Sequence, residues 1–357
     1  MDSGAGTELC RFRMNCVLAR MFLGKAEGKI QLFFSRIHGK PDDHIQKGYH
    51  MLRSIGKRVL QTVIVLFCVS LMIFVLLRII PGDAITTMMG EHANADTIAR
   101  LTKEMNLDKP FYVQFITYLK DICTGNFGTS YTLNKPVTEL LAAAFPNTVK
   151  LAVMAAVIAW VIGMVCGIIA AVKKDGILDR LFMGFSLLGV SVPVFMVAMV
   201  LQYFIAYKLH WVDISGVKSW TGFILPAIAL GWNSAGSIAR LTRSTLVEVL
   251  QEDYIDTAKA KGLGRGGVII LHGLRNAMLP VITMMALQIS SLLSGAVISE
   301  TIFSINGIGR LAVDAISRRD IPLLQGTVLF TTVIVIVGNL IADCLYTVLD
   351  PRIRKGA

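Results

Sequence analysis

Val59-Leu-Gln-Thr-Val-Ile-Val-Leu-Phe-Cys-Val-Ser-Leu-Met-Ile-Phe-Val-Leu-Leu77 runs for 19 residues without a charge and is closed off by Arg58 and Arg78. As a helix it spans roughly 28 Å, close to the hydrocarbon thickness of a bilayer at about 30 Å. Similar stretches follow at 151–172, 181–207, 223–239, 281–303 and 323–349. The fourth of the six is the weakest, because Asn233, Ser234, Gly236 and Ser237 dilute it. The chain is therefore expected to be an all-α membrane protein with six transmembrane helices.

The whole composition agrees. Of 357 residues, 54% are hydrophobic and only 17% charged, and the mean hydropathy is +0.63. Water-soluble domains carry about a quarter charged residues. Disorder, collagen and secreted disulfide scaffolds are excluded by the same figures. Of the 35 Lys and Arg, 23 fall before the first span, in the loops after the second and fourth, and behind the last. This imbalance predicts cytoplasmic N and C termini. The net charge of +11 is then a topology signal, and nucleic-acid binding would want a basic folded domain that the sequence lacks.

Residues 1–50 contain Arg11, Arg13 and Arg20 among scattered apolar residues, without the apolar core and cleavage site of a secretory signal. They read either as a basic arm on the inner leaflet or as an upstream extension of a protein starting at Met51. The second reading is preferred, since Met51-Leu-Arg-Ser-Ile-Gly-Lys-Arg58 leads straight into the first span. Cys68, Cys166 and Cys344 lie within spans as small apolar fillers, Cys10 and Cys16 lie in the arm, and Cys123 is alone outside. The six histidines form no cluster, so no metal site is expected.

Two loops are long enough to carry function. In the outer loop, 78–150, Asn94 is placed to cap a helix with Ile98, Leu101 and Met105 on one face. Pro110 opens a second segment with Phe111, Phe115, Tyr118, Leu119 and Ile122 at helical spacing, ended by Gly125. Pro136 starts a third with Val137, Leu140, Leu141 and Ala144 inward. A compact cap and a docking surface for an external partner both fit this pattern.

The cytoplasmic loop, 242–280, places Val247, Leu250, Tyr254 and Ala258 on one helical face. A breaker follows at Gly262-Leu-Gly-Arg-Gly-Gly267, then a second apolar stretch from Val268 to Leu271. A short helix, a sharp glycine turn and a second helix make a protruding knob. Gly262, Gly264 and Gly267 satisfy G-x-G-x-x-G, but that fingerprint needs a preceding strand. Here a helix precedes it. A phosphate-binding G-x-x-x-x-G-K-[ST] sequence is absent, and no nucleophile–base pair stands out, so the chain reads as a non-enzyme.

Within the spans, Gln288, Ser291, Gly295 and Ser299 recur at three or four residues, and Asn339, Asp343 and Tyr346 align likewise. Such stripes serve either close helix packing or an aqueous pathway. Glu300 and Asp343 need a partner or hydration, because an ionised carboxylate in lipid is expensive.

The knob reads Glu252-Asp-Tyr-Ile-Asp-Thr-Ala-Lys-Ala-Lys-Gly-Leu263 and continues with His272-Gly-Leu-Arg-Asn-Ala-Met-Leu-Pro280. It resembles the EAA loop of ABC importer permeases, which in the peptide and nickel branch typically reads E-D-Y-I-x-T-A-x-A-K-G-L, then H-x-L-R-N-A, then P. Leu77-Arg-Ile-Ile-Pro-Gly-Asp83, Phe127-Gly-Thr-Ser130 with Pro136-Val137, Glu300-Thr-Ile-Phe303, Gly307-Ile-Gly-Arg310 and Asp350-Pro-Arg-Ile-Arg354 resemble further motifs of that branch. The resemblance covers 51–357. It departs at Asp256-Thr257-Ala258, where the name-giving triplet would stand, and at Asn306, a place usually held by proline.

The resemblance implies a type I importer permease fold in a bacterial inner membrane. It implies a second homologous permease subunit, two ATPase subunits receiving the knobs, and an external binding protein delivering substrate. ATP-Mg would be bound on the partner ATPases, and this chain would hold no cofactor. Asp256, Thr257, Ala258 and Gly262 would couple the knob to ATP hydrolysis, with Ala258 allowing close approach in a partner groove. Gly262→Asp is expected to abolish transport while leaving insertion intact. Gln288, Ser291, Gly295 and Asp343 are the candidate pathway or interface residues. The expected cargo is a di- or oligopeptide, with nickel or a nickel chelate second. An ion-coupled secondary transporter, leaning on Glu300 and Asp343, is the competing class.

Overall fold

The computed structural model describes residues 60–76, 109–214, 216 and 220–349. The arm 1–50, the helix expected around Asn94 and the motifs at 77–83 and 350–354 lie outside the described residues. The chain divides into two units, Met1–Thr62 and Val63–Ala357, and the packing described below is that of the second.

Helix α1 (Leu60–Leu76) is a shorter apolar helix. Its Phe74 is buried against the rings of Phe111, Phe115 and Tyr118, at centroid distances of 5.2, 5.1 and 5.4 Å. Those three rings belong to α2 (Phe111–Cys123), the second segment expected in the outer loop. Gly125 follows at φ +76° and turns the chain. A two-stranded antiparallel hairpin, β1 (Thr129–Ser130) and β2 (Lys135–Pro136), then leads into α3 (Val137–Val172).

Here the structure differs from expectation. The third outer segment is no separate cap, since α3 is one 36-residue helix with Pro146 inside it. At 1.5 Å per residue it measures about 54 Å, so it carries its outer turns well beyond a bilayer core. Val137, Leu141 and Ala144 are buried as expected.

The stretch 181–207 reads as one span with a kink at Gly189 and Pro193. The break is sharper than a kink: α4 (Ile177–Ser191) and α5 (Val194–Leu201, continued as a π-helix through Lys208) meet at a bend of 106°. Pro193 is the cause, since it cannot donate to the preceding turn and holds Val192 in extended backbone.

The least apolar span is the most buried. Helix α6 (Ile224–Val249) belongs to a segment of mean hydropathy 1.2 whose best window is 61% buried. It packs on α3, α4, α5 and α8 (Arg275–Ile302). A helix enclosed by protein needs small residues more than oily ones. A Cβ on Gly163 of α3 would fall 2.8 Å from the Ala235 carbonyl oxygen, and one on Gly236 would fall 2.6 Å from that of Ser186. Gly167 opposes Ala239 one turn further on, so α3 and α6 run parallel along a seam of near backbone contact.

After α7 (Asp253–Ala260) the chain re-enters through Arg265–Gly267 and π-helical Val268–Leu274 directly into α8. At the outer end α9 (Ile308–Ser317) lies between α8 and the last helix, α10 (Ile321–Leu349). Among the described residues four helices are long and apolar enough to cross a membrane, with a fifth if the bent pair is one span, against the six expected.

Candidate functional site

The knob is α7 and its two turns. Helix α6 ends at Val249, so Val247 and Leu250 belong to its foot while Tyr254 and Ala258 belong to α7. The expected single amphipathic helix is broken at Leu250–Glu252. Asp253 and Asp256 lie in the first turn of α7, where carboxylates complement the partial positive charge of a helix start.

Helix α7 ends in a two-bond glycine cap. Gly262 N–H donates to the Lys259 carbonyl at 2.9 Å and Leu263 N–H to that of Ala258 at 3.4 Å, with Gly262 at φ +84°. A Cβ there would meet nothing within 4 Å. Glycine is therefore required by backbone conformation and not by crowding.

The expected coupling residues separate into two kinds. Asp256 and Thr257 are exposed, and the Asp256 carboxylate accepts from Lys259 Nζ at 2.8 Å. Ala258 is turned inward and packs with Ile255 and Val268 as the knob's own core. Ala258, expected to allow close approach in a partner groove, lies against Val268 within this chain. Asn276 Nδ2 donates to Tyr254 Oη at 2.8 Å, and Gly273 packs on Leu246 and Leu250. Exposed Leu263, Ile270 and Leu271 give the knob an apolar outer surface.

The candidate pathway stripe does not share one environment. Gln288 is buried and its Nε2 donates to the Ser234 carbonyl at 3.3 Å. Its Oε1 is buried without a hydrogen-bond partner. Ser291 is exposed, one turn from exposed Leu287. Gly295 lies on α8 and Asp343 on α10, and their surroundings are outside what is described.

The structure also assigns three carboxylates as clasps. Glu300, fully buried, accepts from Thr148 Oγ1 at 2.6 Å and from Arg310 N–H at 3.0 Å, while Thr148 Oγ1 accepts from Ile308 N–H at 2.9 Å. It thus binds α8 to α3 and to the start of α9, where helix amides favour a negative charge. Asp320, also fully buried, accepts from Ser130 Oγ at 2.6 Å and Thr132 Oγ1 at 2.7 Å. It also accepts from Leu323 N–H at 3.2 Å, capping α10. Asp179 takes both Nε and Nη2 of Arg243 at 2.7 Å, joining α4 to α6.

Sequence reasoning missed Asp320, Asp179 and Thr148. For Asp320 the signal was present, an Asp directly before Ile321-Pro322 at a helix start. For the other two, the partner lies 64 or 152 residues away.

Several long apolar helices, joined by a glycine-capped helical knob, make a multi-pass membrane protein. Residues 163–355 match the family described as the binding-protein-dependent transport system inner membrane component, and residues 51–152 match its N-terminal part. The chain belongs to this family of inner-membrane permeases of ABC importers, in its peptide, oligopeptide and nickel branch.

It is 40% identical over 304 residues to the glutathione transport system permease protein GsiC of Salmonella paratyphi A, covering 85% of this chain and 99% of that protein. The GsiC of Escherichia coli K12 gives the same identity and coverage. The chain is similar in fold to a chain of the inward-facing MetNI methionine ABC transporter, with a TM-score of 0.50, 16% identity, and 59% of this chain and 96% of that chain covered. With the family shown, the secondary-transporter reading lapses.

Proposed function

We propose that the chain is one of two permease subunits of an ATP-driven importer, with six crossings and both termini cytoplasmic, carrying di- or oligopeptides. The observation that carries the cargo is the 40% identity to permeases named for glutathione, a peptide, along 99% of their length. ATP-Mg is held by two partner ATPases, whose grooves receive the knob. An external binding protein delivers the substrate.

Asp256 and Thr257 are the residues of α7 that face the ATPase. Gly262 fixes the angle of α7, and Ala258 transmits force by keeping α7 seated on Val268. Gln288 and Ser291 lie along the pathway or the subunit interface with Gly295 and Asp343. ATP-driven closure of the ATPases moves the knob, and α6 and α8, joined to it without a flexible linker, turn that movement into alternating access.

The test is uptake by proteoliposomes containing this chain, its companion permease and ATPases, fed by the cognate binding protein. Uptake of labelled dipeptides or glutathione that requires ATP inside and binding protein outside is the expected result. Uptake of a nickel chelate with no peptide uptake would assign the metallophore cargo instead.

A further inference from the structure

The bend at Pro193 sends the second half of the expected third span across the bundle, and its free surface is aromatic. Tyr203, Phe204 and Tyr207 on the π-helical segment are exposed, and so are Trp211 and Trp220 beyond it, at 74% and 68%. Two lysines lie among these rings. Lys208 Nζ sits 5.5 Å from the Tyr203 centroid and 5.9 Å from that of Phe204, and Lys150 Nζ sits 5.6 Å from that of Trp220.

The level of this surface is marked by the span ends. Trp220 opens the Trp220–Val249 crossing, and Lys150 directly precedes the apolar run 151–172. Gln202 Nε2 donates to the carbonyl of Ile302, the last residue of α8, at 3.4 Å. Three crossings therefore begin or end where the aromatic segment lies, opposite the knob. Trp and Tyr with snorkelling Lys are the side chains that settle at a membrane–water interface. A protein–protein core at this place would be depleted of Lys.

We propose that α5 with its π-helical extension, together with Trp211 and Trp220, forms an anchor seated in the headgroup layer of the outer leaflet. Lys208 and Lys150 take phosphodiester oxygens of anionic phospholipid, and the aromatic rings fill the adjoining acyl boundary. The anchor fixes the bent pair to the bilayer surface while the inner half of the bundle moves. It depends on the chain being embedded in a membrane and not on the cargo or the partners proposed above.

The chain has four tryptophans, and this makes the surface readable. In this chain Trp160→Phe and Trp232→Phe leave only the two exposed indoles, and the importer carrying them, with the tryptophans of its other subunits also replaced by Phe, is placed in phosphatidylcholine brominated either near the carbonyl end or at the chain terminus. The expected result is greater loss of emission with the shallow bromines. Equal loss at both depths, or greater loss with the deep bromines, overturns the proposal. No loss from either lipid overturns it as well, and with protection from acrylamide assigns the face to a protein neighbour.

If that double variant does not fold, the difference in quenching between the unaltered importer and the Trp211→Phe, Trp220→Phe form gives the same contrast. For the headgroup, Lys208→Gln with Lys150→Gln is expected to lose the enrichment of phosphatidylglycerol over phosphatidylcholine in lipid retained by the purified importer. Unchanged enrichment overturns the role of the lysines.

Discussion

A carboxylate inside an apolar helix is tolerable only where donors converge on it, and Glu300 has donors from two other elements. Glu300→Gln keeps the shape but leaves one acceptor oxygen for two donors, Thr148 Oγ1 and Arg310 N–H, and sets an amide NH2 against the other. The expected cost is about 1–3 kcal/mol, read as a lower midpoint of thermal unfolding in detergent. Gly307→Ala is harsher, because its Cβ would fall 2.2 Å from the Glu300 carboxyl carbon. Little folded protein is expected by fluorescence-detected size exclusion. At the knob, open space around Gly262 means that a substituent acts through φ alone. Asn and Asp tolerate that backbone better than β-branched residues do. ATP hydrolysis coupled to transport should therefore fall in the order Gly262→Asn, Gly262→Ala, Gly262→Val, with Gly262→Asp beside Asn, a milder effect than the abolition the motif alone implies, because the space around Gly262 is open. Complete loss in the Asn variant alongside normal activity in the Val variant would show that side-chain chemistry, and not backbone, governs the turn.

Among the elements, the outer hairpin and α10 are joined through Asp320, and α3 to α6 through glycine. Asp320→Ala removes the acceptor of Ser130 and Thr132 and the cap of α10. The expected outcome is faster cleavage of the hairpin by protease added from outside, with the spans intact. Gly163→Val would drive α3 off α6, where a Cβ already meets the Ile238 Cβ at 2.8 Å. Loss of the assembled permease from the membrane is expected on blue native gels. What the sequence disclosed follows from how lipid acts. Spans were legible because a bilayer imposes composition over about 20 residues at a time. The knob was legible because its turn needs glycine. The length of α3 was not, since Pro146 and Asn147 look like a boundary, yet buried Val137 and Leu141 carry the helix through. The centrality of α6 was hidden for the opposite reason: its weak hydropathy is what a helix surrounded by protein can afford. Glu300 read as an energy-coupling charge because its partner Thr148 lies far off in sequence.

Across the whole molecule, the excess of Lys and Arg in the knob-side loops predicts cytoplasmic N and C termini. Tags at either end of the chain should be cleavable only after the inner face of the membrane is opened, and cleavage of either tag from outside would reverse the assignment. The two outer clasps carry one further consequence, which concerns time. Thr148 waits for a partner 152 residues later, and Ser130 for one 190 residues later. At roughly 5–20 residues per second of synthesis, the hairpin stands unsecured for about ten to forty seconds. The parallel seam of α3 and α6 is already available by then, so the bundle's centre sets before its rim. A nascent chain halted short of Asp320 would display an unfastened hairpin outside the membrane, and that is the form a surveillance protease would meet first.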